Sequence, residues 1–482
     1  MDSPRVGASL VADYEAGAEV GPPPAAADWT GAAPDDGPPW LAATLPVLDL
    51  AAGSVQALRR AAQRAGASGP VVDGPLDLGR VAASFSSERL FRLDGHEVEG
   101  FAPMSGFFRS ADGWVRTHAN YPHHAHRLLA ILGLHGLGES GLHGLAGPGQ
   151  TGTVLPGSGP EVLARAVAGY RSQNLEDAAA SGGAVVVRVR TEDEWRASAQ
   201  GEAAASGPVV QVTRRDDIGP ARPLGGGAAP LAGMRVLDLT RVIAGPVATR
   251  SLALLGADVL RVDPPVPAEI RWMHLDTGQG KRTALLDLHD DGDLARAQAL
   301  LDDADALVTG YRPGAHELAR LRVPPGIVHA RVSAWGETGP WAQRRGFDSI
   351  VQAATGISII ESLGGDAREK TGPGVLPAQA LDHATGYLLA AGVVDALRAR
   401  SADGRGRDVV VSLARTAAWL LDAPGRDPQH PAPAPLPRDA TVSHGHGPQV
   451  TTSRPALPGF DDYASPAHPW GTDHAAWATT TV

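Results

Sequence analysis

MRVLDLTRVIAGPVATRSLALLGADVLRVD, running from Met234 to Asp263, is the stretch whose reading decides the fold. Residues 235–240 form an apolar run of strand length, and residues 241–246 read as a loop. A helix then runs through Leu255 and stops at Gly256, the residue type that accepts the left-handed conformation just past a helix end. Residues 257–263 read as the next strand. Further strands are expected at 306–308 and 327–332, with an amphipathic helix over 290–302 ahead of them. Strand–helix–strand alternation at this spacing implies a parallel, doubly wound sheet. The expected class is therefore α/β, with a Rossmann-like parallel-sheet large domain over 231–421 and a smaller α+β domain N-terminal to it.

The first strand-to-helix turn, Thr240 to Pro246, has no Gly-x-Gly-x-x-Gly. Without those glycines a dinucleotide pyrophosphate cannot approach the backbone, so NAD and FAD are disfavoured. Outward from this core, residues 216–230 read as a linker around Gly225-Gly226-Gly227. Residues 27–215 read as the small domain, with a strand over 184–189. Residues 1–26, rich in Ala, Gly and Pro, are expected to be poorly ordered, and 422–482 to form a proline-rich arm.

Composition narrows the function classes. The 482 residues are 43% hydrophobic and 20% charged, which suits a globular chain. A net charge of −11 argues against broad nucleic-acid or anionic-membrane binding. With no cysteine, disulfides, thiolate metal sites and a cysteine nucleophile are excluded. The first 20 residues do not read as a signal peptide, and no apolar run approaches the roughly 20 residues that span a bilayer. A cytoplasmic location is the expectation.

Five blocks now carry a resemblance: LAGMRVLDLTRVIAGPVATRSLALLGADVLRVDPP, GKRTALLDL, ADALVTGYRPGA, GIVHARVSAWGETGPWAQRRGFDSIVQAATG and LPAQALDHATGYLLAAGVVDALRARSADGRGRDVVVSL. In this order they resemble the family III CoA-transferases. The resemblance implies an enzyme that moves CoA from an acyl-CoA to a carboxylic acid, as a homodimer. It implies no permanently bound cofactor, CoA being substrate and product. It places the family's nucleophilic aspartate on Asp382, whose plainer role would be to cap the helix 384–398. By the same likeness, CoA contacts fall on Ile243, Ala244, Lys281, Arg282, Gly310, Tyr311 and Arg345, a set whose cations suit phosphates. Besides Lys281 the only lysine is Lys370.

Two departures stand out. Thr309-Gly310-Tyr311 replaces the family's acidic-Asn-Phe, and Pro264-Pro265 stand where some members carry a phosphate-binding arginine. A related branch, the α-methylacyl-CoA racemases, would need a histidine where this chain has Phe347, which transfers no proton. The alternative to an enzyme is a catalytically silent CoA-binding subunit.

The chain also resembles itself. Residues 48–53 (LDLAAG) parallel 381–386 (LDHATG), and LDLGRVAASFSSERLF parallels RDVVVSLARTAAWLLD. The first 215 residues look like the family's second half, as if a tandem ancestor had lost the front of one copy and the back of the other. Asp49 would then be a relic of a second catalytic position. His118, His123, His124 and His126 invite a metal, yet only His123 and His126 share a helical face, so a solvated histidine-rich helix is expected and no metal site. Phe107, Phe108 and Trp114 read as core.

Overall fold

The computed structural model describes residues 6–23, 37–134, 159–311, 319–362, 372–445 and 448–478. Lys370 and the segment 312–315 of the third block lie outside the described residues. The chain divides into two units: one of residues 1–98, 206–336 and 377–482, the other of 99–205 and 337–376.

The first unit is built on a seven-stranded sheet. Its strands are β1 (Gln211–Ile218), β2 (Arg235–Leu239), β3 (Asp258–Asp263), β4 (Arg282–Leu285), β5 (Ala306–Thr309), β6 (Val328–Ser333) and β7 (Arg405–Ser412), in spatial order β1-β7-β6-β5-β2-β3-β4. The six strands β2 to β7 are mutually parallel, and only β1 runs antiparallel, against β7. Parallel strands are covered on both faces, which is why the central ones read as unbroken apolar runs. From β2 the chain steps one way to β3 and β4, then returns to β5 on the other side of β2. The strand order thus reverses between β2 and β5. In open α/β sheets the crevice beyond the carboxyl ends at such a point is where ligands sit.

Four helices position the site. Helix α1 is Val6–Gly17, α2 is Val47–Arg64, α3 is Ala244–Leu254 and α4 is Ala380–Asp403. Helix α3 follows β2 directly and leads to Gly256, whose φ of +100° turns the chain into β3. Helix α4 is buried almost without break from Ala380 to Leu397, as expected of a helix enclosed on all sides. Helix 291–302 lays Ala297, Leu300 and Leu301 over Leu237, Leu260 and Leu307 of the sheet.

The second unit carries a three-stranded antiparallel sheet of Phe107–Arg109, Trp114–Thr117 and Val186–Arg188. Helices 122–131, 160–168 and 172–182 close a core of Phe108, Val115, Leu128, Leu163 and Leu175 over it.

The expected strands and the helix over 290–302 all form, within a residue or two of the bounds read from sequence. The expected boundaries do not. Residues 6–17, read as poorly ordered, make helix α1, because Leu10 and Tyr14 stand one turn apart and both are fully buried. Residues 47–98 and 206–218 belong with the large sheet, whereas 337–376 belong with the smaller unit. The tail is no free arm: Thr441–His444 and Val450–Ser453 pair with each other and with Arg92–Leu93. Residues 471–473 bond to Thr283 of β4. Apolar burial against partners distant in sequence decided each of these. Among the described residues, no helix is long and apolar enough to cross a membrane.

Candidate active site

Three backbone segments meet at the switch point. Asp238, near the end of β2, is fully buried, and its Oδ1 accepts from Thr240 N at 2.9 Å and from Thr240 Oγ. That pair fixes the start of the loop 240–244. A Cβ on Gly245 would lie 2.3 Å from Thr240 Cβ, so only glycine lets α3 begin this close to the strand. After β5, Gly310 stands with its Cβ position 3.6 Å from Thr240 Cβ. From the third direction, α4 enters so closely that a Cβ on Gly386 would sit 2.5 Å from Ala244 O.

Asp382 lies one helical turn before Gly386, in the first turn of α4, and is 6% exposed. Carboxylates are favoured there, because the first N–H groups of a helix have no partner inside it. Ile243 and Ala244 are buried at the start of α3, Gly310 is exposed, and Tyr311 packs partly on the sheet core. These four follow the carboxyl ends of β2 and β5, the two strands between which the strand order reverses.

Val242, in the same loop, has φ +71°, an unfavourable conformation for a β-branched residue. Glu269 holds it there. Its Oε2 receives Val242 N and Arg241 Nε, each at 3.4 Å, and Arg261 Nη2 at 2.8 Å. Arg241 adds bonds to Pro267 O and Ala268 O at 2.9 and 2.8 Å. Strain over-determined by its surroundings is a mark of functional loops. The resemblance places Val242 with Ile243 and Ala244 in the loop along the CoA site, but nothing in the local sequence signalled its strain or the role of Glu269, since both depend on the approach of residues 266–270 to the loop.

The expected cations behave differently. Lys281 is buried, and its Nζ donates to Asp238 Oδ2 at 3.1 Å, Thr249 Oγ at 2.9 Å and Pro246 O at 3.3 Å. An ammonium has three donors and all three are used inside, so Lys281 braces β2 against α3 and is corrected from a CoA contact to a structural residue. Burial pushes its pKa down to about 8, against the pull of Asp238. Arg282 donates to Asp258 Oδ1 at 2.7 Å and to Ala476 O, which ties β4 to β3 and to the tail. Arg345 belongs to the other unit, where it donates to Gly183 O at 3.4 Å. Arg271 is exposed at the start of helix 271–277, close in sequence to the Glu269 hub.

In the smaller unit the histidines also depart from expectation. His118 and His124 are buried, not solvated, and burial first, then nearby positive charge, lowers their pKa values to about 3 and about 2. His118 stacks on Phe347 with centroids 3.7 Å apart and planes 7° apart, so the aromatic stands where an imidazole partner needs a flat neighbour. Among the described residues no group of three His, Asp or Glu could hold a metal. Phe108 is core, as expected, while Phe107 and Trp114 are partly exposed under Arg116 and Arg109.

Comparison with known proteins places these features. The sequence model of CoA-transferase family III matches residues 231–443, the span that holds the sheet from β2 onward, the crevice and Asp382. Over that segment the chain is similar to CoA-transferase family III. It is 35% identical over 212 residues to an acetyl-coenzyme A transferase of Hypoxylon pulicicidum, covering 42% of this chain and 35% of that protein. It is 30% identical over 240 residues to a probable fatty acyl-CoA transferase of Mycobacterium tuberculosis, covering 44% of this chain and 60% of the relative. A solved structure from that organism aligns at a TM-score of 0.34 and 30% identity, over 42% of this chain and 58% of its own. The chain thus spans between about a third and three fifths of the length of the curated relatives it matches.

Proposed function

We propose that this protein transfers CoA from an acyl-CoA to a carboxylic acid, with Asp382 as the covalent carboxylate. The Asp382 oxygen attacks the thioester carbonyl, which forms a mixed anhydride and releases CoA thiolate. The thiolate attacks the aspartyl carbonyl, expels the first acid and leaves an aspartyl-CoA thioester. An acceptor carboxylate then attacks that thioester to give a second anhydride, and the returning thiolate takes the new acyl group and frees Asp382. Each step breaks one acyl bond as it forms another, which is the gain of covalent catalysis.

The observation that carries the reading is the approach of Asp382's helix to Ala244 at the sheet's switch point, within the segment matched by the family. A homodimer belongs to the same proposal. A second reading, a catalytically silent CoA-binding subunit, is favoured by one observation: Lys281 and Arg282, the cations expected at CoA, are committed to internal partners.

Intact-mass measurement after incubation with a panel of acyl-CoAs, with hydroxylamine or borohydride trapping and peptide mapping, separates the two. An adduct on Asp382 that is absent from Asp382→Asn is the expected result. CoA binding without an adduct from any donor would instead establish the silent subunit.

A further inference from the structure

The C-terminal tail beyond residue 443 lies outside the family match, yet it reaches the network that holds the crevice loop. Residues 463–478 run along the edge strand β4 as a strap. Gly280 N donates to Ser465 O at 2.9 Å, His274 Nε2 bonds His468 O at 2.8 Å, and Asp473 N donates to Thr283 O at 2.9 Å. Farther along, Trp477 Nε1 donates to Leu300 O at 3.1 Å, on the helix 291–302. These contacts cover an open sheet edge, which accounts for most of the strap. Trp470 makes a different contact. Its side chain reaches the carboxyl end of β3, where Nε1 donates to Asp263 Oδ2 at 3.0 Å.

Asp263 begins a buried relay. Its Oδ2 lies 2.7 Å from Arg261 Nε, and its Oδ1 accepts from Arg261 Nη2 at 3.1 Å. The same Nη2 donates to Glu269 Oε2 at 2.8 Å, and that oxygen is the one that receives Val242 N and Arg241 Nε. Asp263 and Arg261 are each 1% exposed and Glu269 is 8% exposed, so water does not readily replace a partner that one of them loses.

Two magnitudes make the loop sensitive to this relay. A β-branched residue at φ +71° carries strain of the same order as one or two ordinary hydrogen bonds. The two bonds that Glu269 gives the loop are long, 3.4 Å each, and so fall at the weak end of that scale. A small shift of Glu269 is then enough to release Val242. Trp470 and Arg261 Nε share Asp263 Oδ2. Without the indole N–H, that carboxylate turns toward its remaining partner, and Arg261 and its contact with Glu269 move with it.

We propose that Trp470 is a positioning residue for the crevice loop: through Asp263, Arg261 and Glu269 it keeps Val242 in its left-handed conformation. Its effect on CoA rests on the CoA-binding reading above, whereas its hold on the loop does not.

Hydrogen-exchange mass spectrometry on the full-length chain tests this, with calorimetric CoA binding beside it. Trp470→Phe keeps a ring and removes the N–H, so exchange over residues 241–244 should rise about fivefold or more. Trp477→Phe removes the same group from the same strap at a different anchor and should leave 241–244 unchanged. Glu269→Gln, at the far end of the relay, should raise exchange in that segment, and adding Trp470→Phe to it should raise it no further. CoA affinity should fall about threefold or more in Trp470→Phe and hold in Trp477→Phe. No rise in Trp470→Phe, an equal rise in Trp477→Phe, or a further rise in the double variant would overturn the proposal. If wild type binds no CoA while the exchange pattern holds, the positioning role stands and the CoA reading fails alone.

Discussion

Helix α1 meets α2 as α3 meets α4. The residue before each second helix has nearly the same backbone, φ −75° and ψ 67° at Pro46 and φ −75° and ψ 60° at Gln379. In both, an aspartate takes the third helical position, Asp49 and Asp382, and a glycine follows one turn later. A Cβ on Gly53 would meet Gly7 O at 2.8 Å and Leu10 Cβ at 3.1 Å; one on Gly386 would meet Ala244 O at 2.5 Å and Val247 Cβ at 3.0 Å. Gly7 and Leu10 therefore correspond to Ala244 and Val247. The parallel extends downstream, where Asp77 caps helix 78–85 as Ser412 caps helix 413–422. The internal repeat read from sequence is thus matched in helix geometry.

The pairs differ in what lines them. His383 and Tyr387 of α4 correspond to Leu50 and Ser54 of α2, and Ser54 Oγ donates to Ala51 O, in its own helix. Arg250 corresponds to Asp13, whose carboxylate receives Trp419 Nε1 at 2.8 Å. Asp49 is partly exposed and accepts from Gly7 N at a long 3.4 Å. Close helix packing therefore survives without the chemistry, because glycine at the crossing sets the geometry whichever side chains surround it. The pairs are joined through Arg64 of α2, which holds Asp395 of α4 in a bidentate ion pair at 2.7 and 2.8 Å, and Tyr14 of α1, which bonds the same carboxylate at 2.7 Å.

Asp382→Asn should break the comparison most sharply. Acyl transfer should fall by on the order of 10⁴-fold or more, as for other lost nucleophiles, whereas Asp49→Asn should stay within about twofold of wild type. Equal losses in a turnover assay would mean that both aspartates are catalytic. Next in size, Arg64→Ala removes the bidentate partner of Asp395, leaving it Tyr14 and the longer Arg398 contact at 3.5 Å, and should destabilise the protein by about 3 kcal/mol in urea titrations, the low end for a broken buried pair. A loss below about 1 kcal/mol would show that the two pairs are not energetically linked.

Gly386→Ala should cost about 2–3 kcal/mol and Gly53→Ala about 1 kcal/mol, within the range for overpacking. The contact at Gly386 is tighter, and α3 is anchored by β2 and Lys281, so it yields less than α1. The reverse ranking would overturn the view that α3 is the more rigidly held helix. A last effect distinguishes the pairs by pH. Burial, then Arg250, lowers the His383 pKa to about 3 from an ordinary 6.5. Between those values the unfolded chain takes up a proton that the folded one refuses, so stability falls as pH drops below 6.5. His383 alone should contribute about 2 kcal/mol to the loss between pH 7 and pH 5, added to the contributions of buried His118, His124 and His274. His383→Leu, which copies Leu50, should remove that share and leave a shallower slope; an unchanged slope would count against a neutral buried imidazole.

The sequence by itself determined four of the seven strands of the large sheet, β2, β3, β5 and β6, the Gly256 turn, and a helix start beside Asp382. These are local: periodicity, strand length and a glycine past a helix end act over a few residues. Tertiary structure alone decided that Lys281 faces Asp238 and not a phosphate, that His118 and His124 are buried, and that residues 47–98 belong to the large unit. It alone brought Arg250 and Gln279 within hydrogen-bond distance. Each of those outcomes depends on which distant segments exclude water from a side chain, and no spacing along the chain encodes that directly.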